Sequence, residues 1–164
     1  MPLADLNELN NHSADSCHPK QTGVPVRKCI LIVDDNRTIR HMLRTTFEDI
    51  WDWEVGEAEN GRDAIDKARE SKPDLIVLDL SMPVMNGLEA APLLKQMLPA
   101  VLIILFTLHD NKTLERKALS VGVSAVVSKA DSMKTLLKQA EDLLRASGVG
   151  VPIGETQPVP FNNP

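Results

Sequence analysis

Apolar runs of strand length alternate with segments of helical periodicity five times along the chain, and no other feature constrains the fold as strongly. The runs cover residues 29–33, 53–58, 75–78, 101–106 and 124–128. Runs that are apolar at nearly every position fit strands covered on both faces, as in a parallel sheet. A repeated strand-then-helix order implies right-handed crossovers that place helices on both faces. The sequence therefore predicts an α/β fold with a doubly wound, parallel five-stranded sheet.

The intervening segments predict five helices. The second strand is less apolar than the others, so we expect it near an edge of the sheet. Pro92 lies within the third helical pattern, so that helix either begins late enough to place the proline in its first turn or is kinked. The helices are expected from Asn36 to about residue 49, from Asn60-Gly61 to just before Ser71, over residues 88–98, from Asp110 or Asn111 to Val121, and from Asp131 or Ser132 onward.

Composition divides the chain into one folded domain and two extensions. Residues 1–27 are polar with little apolar periodicity, although a short helix over residues 3–9 stays open, and we expect a disordered N-terminal extension. Residues 28–146 form the expected domain. The tail, residues 147–164, is rich in proline and glycine and is expected to be disordered. We expect no effector domain after residue 146.

Charge and cysteine content exclude several function classes. A net charge of -5 argues against broad binding to nucleic acid or anionic lipid. The chain begins without a secretory signal pattern and has no apolar segment of about 20 residues, which a membrane span needs. Cys17 and Cys29 allow one bridge, but two cysteines favour free thiols in a reducing compartment. We expect a cytoplasmic protein.

Polar residues stand at the ends of four predicted strands. Asp34 and Asp35 follow the first strand, Asp79 the third, Thr107 the fourth and Lys129 the fifth. Parallel strands end at the same edge of the sheet, where open α/β sheets have their ligand crevice, so these side chains should converge. Each residue by itself fits a turn, a helix cap or a surface charge. Together, three crowded carboxylates need a cation, and Mg²⁺ prefers oxygen ligands.

Thr107 and Lys129 have the side chains that bind a phosphoryl group. A lysine supplies a point charge and a threonine a hydroxyl donor to phosphoryl oxygens. Asp79, on the central strand, can then act as a nucleophile toward an activated donor, with a metal screening the two anions. The pattern predicts phosphoryl transfer to Asp79.

The chain resembles the receiver domain of bacterial two-component response regulators over about residues 28–146. The resemblance is carried by Asp34-Asp35, by Leu-Asp-Leu-Ser-Met-Pro-Val-Met-Asn-Gly around Asp79, by Thr107 after an apolar strand, and by Lys129 after Gly-Val-Ser-Ala-Val-Val-Ser. It implies a flavodoxin-like (βα)5 fold and a stand-alone, single-domain response regulator in a phosphorelay. The expected state is a monomer or weak dimer.

The resemblance also implies roles for the site residues. Asp79 would accept a phosphoryl group from a sensor histidine kinase or a histidine phosphotransfer protein. Asp35, Asp79 and the backbone carbonyl of Ser81 would ligate Mg²⁺, with Asp34 acting partly through water. Such a protein is not an enzyme beyond its own phosphorylation and dephosphorylation at Asp79.

On the same resemblance, Thr107 and Lys129 would contact the phosphoryl oxygens, and the fourth and fifth strand-helix units would rearrange to change the protein-binding face. The sequence departs from many receivers at two positions. Val126 stands where they have an aromatic residue that changes rotamer, and Ala130 stands where they have proline. The first departure removes an aromatic switch at that position. The second can alter the loop that holds Lys129.

Two rival functions stay open. A receiver fold that docks without phosphorylation fits the same sequence pattern. A haloacid-dehalogenase-like phosphatase also uses a strand-end aspartate with Mg²⁺, but it needs a second aspartate where this chain has Ser81.

Several charged residues are assigned to solvated faces. Arg37, Arg40 and Arg44 fall largely off the apolar stripe of the first helix, so a solvated face is expected for them. Docking of an output protein is expected on the fourth helix, fifth strand and fifth helix, although a solvated charged face is the simpler account of the lysines there, which are Lys112, Lys117, Lys134 and Lys138.

Overall fold

The computed structural model describes residues 28–51, 53–109 and 111–148. Strands and helices alternate through these residues as the sequence predicts. The predicted disorder of residues 1–27 and of most of the tail, and the possible helix over residues 3–9, lie outside the described residues. In chain order the elements are β1 (Cys29–Val33), α1 (Arg37–Ile50), β2 (Glu54–Ala58), α2 (Gly61–Ser71), β3 (Leu75–Leu78), α3 (Gly87–Met97), β4 (Leu102–Thr107), α4 (Lys112–Ser120), β5 (Ala125–Ser128) and α5 (Met133–Ala146).

The strands form one parallel sheet in the order β2-β1-β3-β4-β5. This is the order of the flavodoxin-like fold, so the predicted fold class is confirmed. The predicted edge position of β2 is also confirmed, and β3 is the central strand. The strand order reverses at β1, and open sheets of this kind bind ligands beside the carboxyl ends of the strands at that point.

The sheet separates two apolar cores, because successive strand side chains point to opposite faces. On β3, Ile76 and Leu78 pack into the core beneath α2 and α3, whereas Leu75 and Val77 pack into the core beneath α1 and α5. Both faces of the central strands are therefore buried. The hydrogen-bonded pairing of β1, β3 and β4 sets the level at which their carboxyl ends meet.

Asparagine side chains begin four of the helices. Each accepts a hydrogen bond from a backbone N–H in the first turn, which satisfies a donor that has no partner within the helix. At α3 the cap is a capping box, in which Glu89 reaches back to the backbone N–H of Asn86. The four caps are Asn36 (α1), Asn60 (α2), Asn86 (α3) and Asn111 (α4). They define where each loop at the carboxyl edge ends.

Pro92 lies inside α3. The helix begins at Gly87, which places Pro92 in its second turn. Of the two alternatives left by the sequence, a late start that puts the proline in the first turn is wrong. The capping box at Asn86 gives the physical reason, because it starts the helix several residues before the proline.

Cys29 is buried at the start of β1 and is disulfide-bonded. The expectation of a free thiol is therefore wrong for this residue. Cys17, the other cysteine in the sequence, lies outside the described residues.

The arginines of α1 do not share one solvated face. Arg37 is exposed and Arg44 is half-buried, but Arg40 is only 6% exposed. The expected solvated face is wrong at Arg40, because this residue lies on the buried stripe of α1 with Leu43 and Phe47.

Among the described residues, no helix combines the length and the apolar character that crossing a bilayer requires.

Candidate functional site

The acidic residues meet where β1 and β3 end. Val33 pairs with Leu78, so Asp34 and Asp79, the next residue of each strand, lie side by side. The backbone N–H of Asp79 donates to the carbonyl of Val33 at 2.8 Å, and that of Asp34 donates to Ala58 at 3.1 Å. Asp34 and Asp79 are 2% and 5% exposed. The structure thus places two buried carboxylates at the reversal point of the sheet.

Asp35 completes a three-carboxylate cluster. One carboxylate oxygen from each of Asp34, Asp35 and Asp79 lies within 4.8 Å of the other two. Asp35 is exposed, so the cluster opens to solvent on its side. Oxygen atoms at this spacing can coordinate one hard divalent cation.

Lys129 reaches the cluster from β5. Its backbone N–H donates to the carbonyl of Thr107 at 2.7 Å, which fixes the loop after β5 against the end of β4. Its Nζ lies 2.6 Å from Oδ2 of Asp34 and 2.9 Å from Oδ1 of Asp79. The ammonium therefore bridges the two buried carboxylates. It also lies 5.9 Å from the centre of the Phe106 ring, within the range of a cation–π contact.

Asp79 and Lys129 each shift the pKa of the other. Burial raises the pKa of Asp79, and the nearby charge of Asp34 adds to that effect, although the hydrogen bond and charge of Lys129 oppose it. Burial lowers the pKa of Lys129, but hydrogen bonds and charge from Asp34 and Asp79 outweigh it, and the net pKa is raised. Burial thus disfavours the ionised form of Asp79, and a cation bound beside it would favour that form.

Thr107 is the last residue of β4 and is 1% exposed. Its hydroxyl oxygen accepts a hydrogen bond from the backbone N–H of His109 at 3.1 Å. The hydroxyl proton stays available for another acceptor. Register places Thr107 next to Ser128, so the ends of β4 and β5 deliver a hydroxyl and an ammonium to the same edge of the sheet.

The loop from β3 to α3 folds back onto Asp79. A Cβ atom on Gly87 would lie 2.3 Å from the carbonyl oxygen of Asp79, so no larger residue fits without moving one of the two backbones. The backbone N–H of Gly87 donates to Leu80 at 2.9 Å and closes the loop. From the sequence alone, the Asn-Gly pair at residues 86 and 87 indicates only a turn. The structure shows that the glycine also lets the loop approach the backbone of Asp79 closely.

Ser81 lies in this loop and lines a cleft of about 570 Å³. The cleft runs from Asp35 past Ser81 and Met82 to Glu89 on α3 and Lys117 on α4. Lys117 therefore faces α3 as well as solvent, rather than belonging only to the surface formed by α4, β5 and α5. Lys112, Lys134 and Lys138 are exposed, as expected.

Sequence reasoning missed Arg40. Its Nη1 donates to the backbone carbonyl of Asp34 at 2.8 Å and, at a longer 3.4 Å, to that of Asp35. A signal was present, because Arg40 precedes Leu43 by three residues and Phe47 by seven, which is the spacing of one helix face. The apolar stripe was defined from apolar residues only, so an arginine on that face went unrecognised.

Comparisons with known proteins agree with this architecture. The model of the response regulator receiver domain matches residues 30–141. Chemotaxis protein CheY of Halobacterium salinarum is 31% identical over 120 residues, which cover 73% of this chain and 98% of that protein. Transcriptional regulatory protein LnrK of Bacillus subtilis is 34% identical over 110 residues, which cover 66% of this chain and 50% of LnrK. A solved structure of CheY4 from Vibrio cholerae superposes with a TM-score of 0.68 at 30% identity and covers 73% of this chain and 100% of CheY4.

The family match spans more than half of the chain, and the chain belongs to the response regulator receiver domain family. It is thus a signalling module of two-component systems. Phosphorylation and magnesium are typical of this family. The chain spans about half the length of several curated relatives that it matches, including LnrK and a putative transcriptional regulator of Pseudomonas aeruginosa.

Proposed function

We propose that Asp79 accepts a phosphoryl group in a Mg²⁺-dependent reaction and that the phosphorylated protein presents a changed face to an output protein. The donor is a sensor histidine kinase or a histidine phosphotransfer protein. The observation that carries the proposal is the ammonium of Lys129 bridging Asp34 and Asp79 within the three-carboxylate cluster. A structural ion pair does not require the third carboxylate, whereas a metal and phosphoryl site does.

The residues present fit Mg²⁺. Three carboxylate oxygens lie close enough to share one ion, and the charge of the Lys129 ammonium does not balance three negative charges. Asp35, Asp79 and the backbone carbonyl of Ser81 would hold the ion directly. Asp34 would act partly through water, which fits its existing bonds to Lys129 and to the backbone N–H of Asn36. When bound, Mg²⁺ screens the negative charge of the donor as it approaches Asp79.

The chain's own residues account for the transfer. A carboxylate oxygen of Asp79 forms a bond to phosphorus while the bond from phosphorus to the donor's histidine nitrogen breaks, and the bonding electrons stay with that nitrogen. The Lys129 ammonium, 2.9 Å from Asp79, lies beside the position that the transferred group occupies. It supplies positive charge to the phosphoryl oxygens, and Thr107 donates its hydroxyl proton to one of them.

The response follows from contacts made only when the phosphoryl group is present. Attraction of the Thr107 hydroxyl and Lys129 moves the ends of β4 and β5, and α4 and the exposed lysines of α4 and α5 move with them. Val126 packs against the core rather than presenting an aromatic side chain, so this movement proceeds without an aromatic switch at that position. The docking face consists of α4, β5 and α5, and the protein acts in the cytoplasm as a monomer or weak dimer.

Labelling by a small phosphodonor tests the proposal. We expect intact-mass spectrometry to show one added phosphoryl group on the parent protein with Mg²⁺, and none on Asp79→Asn or on the parent protein in a chelator. Asp66→Asn, which changes an exposed carboxylate on α2, is the matched control and should label as the parent does. Equal labelling of Asp79→Asn would refute the assignment. Loss of the label from Asp79→Asn would exclude the docking-only alternative.

A further inference from the structure

Arg40 is a buried cation that the proposed reaction does not use. Its side chain is 8% exposed, and its three side-chain nitrogen atoms have partners on two segments of the chain. Nε lies 3.0 Å from Glu57 on β2, and Nη2 lies 3.3 Å from Glu59 just after it. Nη1 donates to the carbonyls of Asp34 and Asp35. The guanidinium therefore ties the loop of the acidic pair to the end of β2.

The backbone of the acidic pair is held from several directions. The Asp34 N–H donates a hydrogen bond to the carbonyl of Ala58, and the Asn36 N–H donates to Oδ1 of Asp34 at 2.8 Å. The Asp34 carbonyl accepts a hydrogen bond from Nη1 of Arg40. Arg40 also contacts the carbonyl of Asp35, the exposed carboxylate of the cluster. Rotation of the Asp34-Asp35 peptide would swing the Asp35 side chain away from Asp79. The hydrogen bonds from Arg40 to the carbonyls of Asp34 and Asp35 oppose that rotation.

The anchor of the guanidinium stays charged. Burial raises the pKa of Glu57, but hydrogen bonds and charge from Arg44 and Arg40 outweigh it and lower the pKa overall. Arg44 lies one helical turn after Arg40 and contacts the other carboxylate oxygen of Glu57. Glu57 thus receives one arginine at each oxygen, and Arg40 is the one that extends to the acidic loop.

We propose that Arg40 is a positioning residue for the Mg²⁺ site, which holds the Asp34-Asp35 backbone so that both carboxylates face the ion. This inference rests on the proposed function, because it concerns the same metal. Mg²⁺ demands near-ideal octahedral geometry, so its affinity depends on how well the ligands are held before binding. The charge of Arg40 by itself repels a cation. Its benefit to metal binding therefore comes from the geometry that it imposes on the loop. The geometric effect and the charge effect predict different Mg²⁺ affinities for Arg40→Lys and for Arg40→Gln.

Calorimetric titration of the full chain with MgCl₂ separates the two effects. Arg40→Lys keeps the charge but loses the planar fork that reaches both Glu57 and the carbonyls. We expect its Mg²⁺ affinity to fall about tenfold, the lower end of the range for groups that orient metal ligands. Arg44→Lys makes the same change one turn away, also at Glu57, and should stay within about twofold of the parent by the same reasoning. If charge alone mattered, Arg40→Lys would bind like the parent and Arg40→Gln would bind more tightly, and that pattern would overturn the proposal.

Two further measurements distinguish positioning from a loss of folding. Circular dichroism gives the folded fraction of each variant, to which the affinity refers. Labelling of Arg40→Lys by the small phosphodonor should need more Mg²⁺ but reach the parent's rate at saturation. If Arg40→Lys is mostly unfolded, Glu57→Gln replaces it, because that change weakens the anchor without touching the loop. An unchanged affinity in Glu57→Gln would then overturn the proposal.

Failure of this inference differs from failure of the proposed function. A parent protein that binds no Mg²⁺, or that is not labelled at Asp79, contradicts the proposed function. A parent that binds Mg²⁺ and is labelled, with Arg40→Lys equal to it in affinity, contradicts only the role of Arg40.

Discussion

The two sides of the site are held very differently. On the side of β1 and β3, Arg40 fastens the acidic loop and Gly87 packs directly against the Asp79 backbone. On the side of α4, Ala118 is the one fully buried residue of that helix, with Leu114 packed against the core, and Leu108, just after Thr107, is 70% exposed. The residues expected to hold the ion are thus on the fixed side. The Thr107 hydroxyl, which we expect to shift toward the phosphoryl group, lies next to α4. This helix has fewer fully buried residues than α1, α2, α3 or α5 and can therefore move at lower cost in free energy.

This difference suits a signalling domain. A metal site needs ligands fixed before the ion arrives, whereas a switch needs an element with two arrangements of similar free energy. Buried apolar contacts set how firmly a helix is held, since each buried aliphatic side chain contributes about 1.5–3 kcal/mol. With one fully buried residue, Ala118, and one partly buried leucine, Leu114, in contact with the core, α4 can shift while exposing less apolar surface than α1 or α5 would. The difference predicts where substitutions and local opening will have their largest effects.

The largest expected effect is at Gly87, on the fixed side. Gly87→Ala places a methyl group 2.3 Å from the carbonyl of Asp79, so one backbone must move. We expect the free energy of unfolding to fall by about 3 kcal/mol, the upper part of the range for overpacking, as measured by urea denaturation. Gly56→Ala is the control, because its Cβ meets Leu31 at an ordinary 3.4 Å. Equal effects of the two changes would show that the loop after β3 is not held tightly.

How much of this the sequence predicts depends on the kind of interaction. Apolar runs and helical periodicity gave the five strands and the fold, because burial of whole faces imposes those patterns. Convergence of Asp34, Asp79 and Lys129 followed from topology, since parallel strands end at one edge. The metal and phosphoryl roles of these residues, with Asp35 and Thr107, stay predictions.

The features that the sequence missed are contacts between distant segments. Gly87 touches the backbone of Asp79 only because the intervening loop returns, and a turn signal says nothing about what the turn packs against. Arg40 is buried because it pairs with Glu57 on β2. A periodicity analysis that counts only apolar residues does not reveal such a contact. The bonding state of Cys29 depends on a partner brought near by folding, and cysteine counts give only the possible pairs.

The second prediction sharpens the comparison on the α4 side. Native-state hydrogen exchange, read by mass spectrometry, should show the backbone amides of α4 exchanging about tenfold faster than those of α1, a difference of about 1.4 kcal/mol in local opening. α1 buries Arg40, Leu43 and Phe47, whereas α4 buries Ala118. Protection of α4 equal to that of α1 would remove the physical basis for the proposed movement.

The third and smallest effect concerns pH. Burial and the charge of Asp34 raise the pKa of Asp79 in the metal-free fold, so the native state binds its proton more tightly than the unfolded chain does. The stability that this group contributes is therefore present at low pH and is lost as pH rises through its folded pKa. Asp79→Asn does not titrate, so the unfolding free energy of Asp79→Asn minus that of the parent should grow as pH rises through that window, as measured by urea denaturation.

Mg²⁺ provides the control for this pH effect. A cation bound beside Asp79 favours its ionised form, so saturating Mg²⁺ should abolish the growth of the difference. A difference that stays flat with pH in the metal-free protein would show that the ammonium of Lys129 already compensates for the burial of Asp79. The fixed side of the site would then be electrostatically balanced before any ion binds, and crowding of the carboxylates would no longer explain why the site should prefer a metal.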